Sequence, residues 1–162
     1  PLVLNTNSDP SLFDGYDLPV ATDVVEGFAG PLAGVLTGLE WAAAHAPECD
    51  WVASFACDAP FAPRDLVARL VEAIARDGAV MACATSGGRD HPVFALWPTR
   101  LADELRVAVV DEGVRKVDIW TARYKLARVD FDNSDSISGG DPFFNINRPE
   151  DLDTAAALLA DR

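Results

Sequence analysis

Basic residues, cysteines and long apolar runs are scarce in this sequence. The 162 residues include 13 Lys and Arg against 26 Asp and Glu, which gives a net charge of −13, so binding to duplex nucleic acid through its phosphates is disfavoured. The three cysteines are odd in number and show no CxxC spacing. This argues against a zinc site or a disulfide framework and predicts a reducing, cytoplasmic location. No run of about 18 apolar residues could span a bilayer, so we expect no membrane partner.

The composition is that of a globular protein, with 49% apolar and 24% charged residues. A chain of 162 residues fits one domain, residues 1–162, with a sizeable core. Short apolar runs are followed by polar residues and then by apolar residues at helical spacing. This pattern predicts an α/β fold with a mostly parallel, mixed open sheet sandwiched by helices.

The most informative stretch covers residues 51–63, where a short apolar run ends at one carboxylate, Asp58. We expect a strand covered on both faces and then a helix over residues 64–76, which places Asp58 at the carboxyl end of the strand. Open α/β sheets bind ligands at that end of their strands. Asp58 is therefore a candidate Mg²⁺ ligand, because Mg²⁺ takes one or two carboxylates and completes its shell with water and phosphate. Asp58 could equally be a turn residue or the N-cap of the following helix.

A helix predicted to run from Pro31 to about His45 begins with small residues. Gly30, Ala33 and Gly34 leave its first turn bare, so a flat ring or a phosphate could approach the backbone. Close helix packing is the commoner reason for glycines at such positions. Upstream, residues 2–4 are typical of a strand and residues 18–21 of a short edge strand.

Polar residues in two later segments have more than one interpretation. His91 precedes a strand over residues 93–97 that should pair antiparallel with a strand over 79–84. It could contact substrate, although a hydrogen bond to backbone is the commoner role. Asn145 and Asn147 point the same way if their segment is extended, so they could bind a polar ligand. Capping of a helix that begins near Pro149 is the favoured alternative. No histidine–serine pair is evident.

Several motifs occur together in one order along the chain. They are Asn5-Thr6-Asn7, Asp23, Gly30-Pro31-Leu32-Ala33-Gly34, Cys57-Asp58-Ala59-Pro60-Phe61, His91-Pro92-Val93-Phe94 and Phe143-Phe144-Asn145-Ile146-Asn147-Arg148-Pro149-Glu150-Asp151-Leu152. Over nearly its whole length the chain resembles the molybdenum cofactor guanylyltransferase family. The resemblance implies a nucleotide-diphospho-sugar-transferase-like, Rossmann-type fold. It also implies a Mg²⁺-dependent nucleotidyltransferase that joins GMP from GTP to molybdopterin and releases pyrophosphate.

The resemblance implies roles for individual residues. Asn5 and Asp23 match positions that contact the guanosine part of GTP, and Asp58 matches the catalytic, Mg²⁺-binding aspartate. The candidates for the molybdopterin side are Asn145, Asn147, Gly34 and His91. The implied partners are GTP, molybdopterin, other molybdenum cofactor biosynthesis proteins and apo-molybdoenzymes.

The chain departs from the family pattern at its start. The family begins with a strand and a glycine-rich loop that wraps the triphosphate, with a lysine nearby, and nothing before Pro1 supplies them. We expect either upstream sequence or a truncated form that lacks the first βα unit, and we expect the 162 residues alone to transfer no GMP. Two alternative functions remain. One is a molybdopterin cytidylyltransferase or related nucleotidyltransferase, and the other is a non-catalytic protein that binds or delivers molybdopterin.

Overall fold

A computed structural model describes residues 1–27, 30–132, 134–135 and 140–160. The helices are α1 (Pro31–His45), α2 (Leu66–Asp77), α3 (Ala102–Val110), α4 (Val117–Thr121) and α5 (Pro149–Ala160). The strands are β1 (Leu4–Asn5), β2 (Val20–Ala21), β3 (Trp51–Ser54), β4 (Met81–Ser86), β5 (Arg89–Pro98) and β6 (Leu126–Asp130). Among the helices of these ranges, none combines the length and the apolar character that crossing a bilayer requires.

The chain divides into two compact units. Unit 1 comprises Pro1–Ser54 and Trp97–Lys125, and unit 2 comprises Phe55–Leu96 and Leu126–Arg162. The backbone therefore passes from one unit to the other at three points. The single domain expected over residues 1–162 stays a prediction.

Unit 1 is built around α1. Pro31 occupies the first turn of this helix, where its missing N–H leaves no hydrogen bond unmade, and Gly30 supplies the positive φ of 79° at the N-cap. Leu32, Leu36 and Leu39 are fully buried, and α1 packs on α3 and β3. The predicted helix is thus confirmed, and its apolar face forms the core of the unit.

Two short strands lie beside the start of α1. β1 and β2 pair in parallel, with Leu4 opposite Val20. Backbone hydrogen bonds of 2.9 Å from Leu4 N to the Pro19 carbonyl and from Thr6 N to the Ala21 carbonyl extend the pairing. Strands were predicted at both places, and the pairing aligns the two polar segments that follow them.

Unit 2 is a three-stranded arrangement, β5-β4-β6, with α2 packed on β4 and β6. β4 pairs parallel with β6 and antiparallel with β5, so the predicted mixture of directions is confirmed. Gly87 and Gly88 form the two-residue turn between β4 and β5 with φ of 55° and 78°. Positive φ at both central residues is the geometry of a tight hairpin turn, which glycine adopts without strain.

The strand before Asp58 differs from the expectation. β3 has only four residues, and Trp51 is 36% exposed, so the strand is not covered on both faces. An apolar run of this length identifies a strand, but it does not show how many faces neighbouring elements cover. In unit 1 the indole Nε1 of Trp97 donates to Ser54 Oγ over 2.8 Å, which places β3 beside the end of β5.

Candidate functional site

Asp23 is held by Asn5, the last residue of β1, and by Asn7, two residues beyond it. Asn5 Nδ2 donates to Asp23 Oδ1 over 3.1 Å, and Asn7 Nδ2 donates to Asp23 Oδ2 over 2.8 Å. The Asp23 backbone N–H returns a bond of 3.0 Å to Asn7 Oδ1. An ionised carboxylate has about four acceptor positions, and side chains of the described residues occupy two of them. Asn5, Asn7 and Asp23 form an acceptor cluster whose orientation is fixed before any ligand binds.

Gly34 of α1 lies against this acceptor cluster. A Cβ at position 34 would lie 2.7 Å from Asn5 Oδ1 and 3.9 Å from Asp23 Oδ1. Thr37, one turn later, accepts the Val24 backbone N–H at 3.0 Å through its Oγ1 and donates to the Ala33 carbonyl at 2.8 Å. The first turns of α1 thus fix the segment around Asp23, and a bare backbone at Gly34 leaves space for Asn5.

Asp58 lies in the turn between β3 and α2 and meets a segment 87 residues later. The Ile146 backbone N–H donates to the Asp58 carbonyl over 2.7 Å, and Asn145 Nδ2 lies 3.4 Å from Asp58 Oδ2. The backbone bond is short and fixes the two segments to each other, whereas the amide contact is long. Asp58 as a residue is half-buried, and within the described ranges no ion pair engages its carboxylate.

The donor set around Asp58 fits Mg²⁺. The residues that the structure describes contain no group of three or more His, Cys, Asp or Glu side chains that could hold a metal ion. An all-protein cage for Zn²⁺ or Ca²⁺ is therefore not formed by them. Mg²⁺ differs because one carboxylate, together with water and the phosphates of a substrate, is a sufficient set of ligands.

The start of α5 shows whether Asn145 and Asn147 cap the helix or leave their side chains available to a ligand. Asp151 Oδ2 accepts the backbone N–H groups of Asn147 and Arg148, both at 2.9 Å, and so caps the helix. The side chains of Asn145 and Asn147 are exposed on either side of the half-buried Ile146. Capping thus uses the backbone at Asn147, and both asparagine side chains line a cavity.

That cavity belongs to unit 2 and has a volume of about 400 Å³. Phe143 is buried at its base, with ring centroids 4.5 Å from His91 and 4.7 Å from Phe94. The rest of its lining mixes apolar residues with charged ones, namely Arg89, Asp90 and Asp141. Aromatic side chains together with amide and imidazole groups suit a planar polar ligand.

His91 is joined to a serine, contrary to the expectation from sequence. His91 Nε2 lies 2.7 Å from Ser86 Oγ, and Ser86 Oγ donates to Asp141 Oδ1 over 3.2 Å. The tight hairpin places Ser86 and His91 on one face as diagonal cross-strand neighbours. Burial lowers the pKa of His91; Arg89 acts in the same direction, and Asp141 and Asp90 oppose it.

The structure brings the predicted residues together in two groups. Asn5, Asp23 and Gly34 meet in unit 1, although Gly34 had been assigned to the molybdopterin side. Asp58 and Asn145 meet in unit 2, and the cavity there is lined by His91, Asn145 and Asn147. Sequence reasoning did not identify four residues that contribute to the acceptor cluster or the cavity: Asn7, Ser86, Arg89 and Asp141. Only Asn7, inside a quoted motif, carried a signal that could have identified it.

Comparison with known proteins first defines the class. A solved structure, molybdopterin-guanine dinucleotide biosynthesis protein A from Archaeoglobus fulgidus, superposes with a TM-score of 0.72 at 22% identity, covering 99% of this chain and 79% of that one. This similarity shows that the chain has the same α/β fold. Residues 1–125 match the protein family described as MobA-like NTP transferase domain.

Relatives with higher identity then define the family. A protein of Bradyrhizobium sp. (strain ORS 278) is 52% identical over 160 residues, which is 99% of this chain and 74% of its own length. One of Mesorhizobium japonicum is 52% identical over 158 residues, with 98% and 75% covered. Both carry the name molybdenum cofactor guanylyltransferase. The chain belongs to the MobA-like NTP transferase family, within its molybdenum cofactor guanylyltransferase group.

Proposed function

We propose that this protein transfers GMP from GTP to molybdopterin, forming molybdopterin guanine dinucleotide and pyrophosphate. The observation that carries the proposal is the 52% identity over nearly the whole chain to relatives named for that activity. The residues of the acceptor cluster, of the Asp58 turn and of the cavity in unit 2 support it.

The acceptor cluster supplies a reason for the choice of guanine. Guanine presents two neighbouring N–H donors, N1–H and the 2-amino group, whereas adenine presents a ring acceptor beside its amino group. Asp23 is a carboxylate whose two oxygens are oriented by Asn5 and Asn7, so it can accept a pair of adjacent donors. In our proposal Asp23 binds the base, and Asn5 positions Asp23.

Asp58 is proposed as the Mg²⁺ ligand and Asn145 and Asn147 as contacts to molybdopterin. A bound Mg²⁺ would neutralise charge on the phosphate oxygens. The terminal phosphate of molybdopterin attacks the α-phosphorus of GTP, the bond to the bridging oxygen of the β-phosphate breaks, and pyrophosphate leaves. Little covalent chemistry remains for side chains, so the work of this chain is positioning and charge stabilisation.

The proposal is tested with purified protein that carries the family's first strand and glycine-rich loop ahead of Pro1, supplied with molybdopterin, Mg²⁺ and one nucleoside triphosphate at a time. We expect guanine dinucleotide from GTP, little product from CTP or ATP, and loss of product when EDTA removes the metal. Preferred use of CTP would instead identify a cytidylyltransferase. Tight binding of molybdopterin without transfer from any triphosphate would identify a binding or delivery protein.

A further inference from the structure

Ser86 connects His91 to a carboxylate in a way that determines where the hydrogens lie. Ser86 Oγ donates to Asp141 Oδ1 over 3.2 Å, and an ionised carboxylate can only accept. A hydroxyl has one hydrogen to donate, so at its 2.7 Å contact with His91 the Ser86 oxygen must accept. Nε2 of His91 therefore carries a hydrogen.

The neighbours of this chain of hydrogen bonds keep it in place. The Phe143 backbone N–H donates to Asp141 Oδ1 over 3.0 Å, so that oxygen is held from two sides. The Phe143 ring packs on the imidazole at 4.5 Å between centroids, and Phe94 meets its edge at 6.5 Å. His91 lines the cavity, and Nδ1 is the ring nitrogen that no hydrogen bond among the described residues uses.

We propose that Ser86 and Asp141 are positioning residues that hold His91 with its hydrogen on Nε2, so that Nδ1 is a hydrogen-bond acceptor for an N–H donor of the ligand. The ligand's identity rests on the proposed function. The pterin of molybdopterin is planar and carries ring N–H and amino donors, which match an acceptor next to an aromatic base. Burial lowers the pKa of His91, which favours the neutral ring that this role requires.

The hydrogen position can be read directly from the ring nitrogens. The protein has two histidines, and His45 serves as an internal reference because its Nδ1 donates to the Trp41 carbonyl over 2.9 Å. In ¹⁵N-labelled protein at pH 7.5, two-bond couplings to the ring carbon protons should show His91 protonated on Nε2 and His45 on Nδ1. A hydrogen mainly on Nδ1 of His91 would overturn the proposal.

Substitutions at Ser86 and Asp141 test whether these residues determine the hydrogen position on His91. Ser86→Ala should shift the hydrogen of His91 toward a mixture of the two nitrogens. Asp141→Asn should preserve the pattern, because the Phe143 N–H keeps an oxygen at the Oδ1 position, whereas Asp141→Ala should lose it. Ser134→Ala is the matched control, since it removes another serine–aspartate bond, to Asp132. An unchanged His91 spectrum in both Ser86→Ala and Asp141→Ala would overturn the proposal.

Kinetics give the functional readout. A neutral hydrogen bond contributes roughly 1 kcal/mol, so Ser86→Ala should raise KM for molybdopterin about fivefold. Its KM for GTP and its kcat should stay within about twofold of wild type, and Ser86→Thr should restore KM. An unchanged KM for molybdopterin in Ser86→Ala would contradict the role of Nδ1.

The two proposals fail in different ways. If the protein that carries the glycine-rich loop forms no guanine dinucleotide, the proposed function is wrong, and the ring spectra still test the hydrogen position. If transfer occurs but His91 shows the other hydrogen position, only the present inference fails. Should Ser86→Ala not fold, the Asp141→Asn and Asp141→Ala pair decides by both readouts.

Discussion

At the scale of single residues, Asp58 brings one negative charge to the turn that Ile146 fixes. Asp58→Asn keeps the size of the side chain but removes that charge. Loss of a metal-binding charge costs several kcal/mol of transition-state stabilisation, so we expect kcat at saturating Mg²⁺ to fall roughly a hundredfold or more. The circular dichroism spectrum should not change.

Asp65→Asn is the matched control for Asp58→Asn. Asp65 is an exposed carboxylate at the start of α2, and its substitution removes the same charge. We expect its kcat to stay within about twofold of wild type, since exposed ion pairs contribute little. Near-normal Mg²⁺-dependent turnover in Asp58→Asn would contradict the assignment of Asp58 as a metal ligand.

Asp23→Asn tests whether Asp23 binds the guanine base of GTP. Asn5 and Asn7 each donate to one oxygen of Asp23, so an amide at position 23 presents a donor to a donor and removes a charge. Charge-assisted hydrogen bonds contribute about 1.5–3 kcal/mol, so Kd for GTP should rise roughly tenfold or more. The preference over ATP should narrow, as measured by competition binding with the exposed Asp14→Asn as control. A GTP preference left intact would make Asp23 structural.

The lowered pKa of His91 predicts a pH dependence of stability. Because burial lowers the folded-state pKa below the ordinary value of 6.5, the unfolded chain binds a proton first as pH falls. Stability is therefore complete above about pH 6.5 and is lost as pH decreases from there toward the folded-state pKa. We expect His91→Gln to lose less stability than wild type between pH 7 and 5 in urea titrations. If the stability of the two proteins changed equally with pH, His91 would not contribute to the pH dependence of stability.

At the scale of elements, α1 offers a comparison between two of its glycines. A Cβ at Gly34 would lie 2.7 Å from Asn5 Oδ1, whereas one at Gly38 would lie 3.5 Å from Val52 Cγ1, an ordinary contact. Gly38→Ala should stabilise the protein by about 0.5–1 kcal/mol, because alanine favours a helix interior. Gly34→Ala should lack that gain and weaken GTP binding, because Asn5 must move. Equal stability gains and equal GTP affinities would show that the close contact at Gly34 is unimportant.

Elements with a regular pattern could be predicted from sequence. α1, the antiparallel pair β4 and β5, and α5 follow from helical spacing, apolar runs and starting prolines. The contacts of the site could not, because they join residues far apart in the chain. Asp141 lies 55 residues from Ser86, and Ile146 lies 88 residues from Asp58. The burial of β3 also depends on neighbours that its own sequence does not encode.

At the scale of the whole molecule, the net charge of −13 opposes the approach of anionic ligands. Raising ionic strength from about 0.01 to 0.15 M shortens the screening length from about 30 to 8 Å. We therefore expect the association rate of GTP with the protein to increase over this range, as measured by stopped-flow fluorescence. Guanosine, which is uncharged, should show no such dependence. A decrease of the GTP rate with salt would mean that cations near the GTP site outweigh the net charge.

The interleaving of the two units has a consequence for protein synthesis. Domains generally fold as they leave the ribosome, the N-terminal one first. Here unit 1 lacks its second segment until Lys125 has been made, and unit 2 lacks β6 and α5 until the chain beyond Leu126 follows. When residue 96 emerges, both units are half-made and neither can close its core. A premature stop codon between residues 55 and 125 therefore leaves two incomplete units instead of one finished unit.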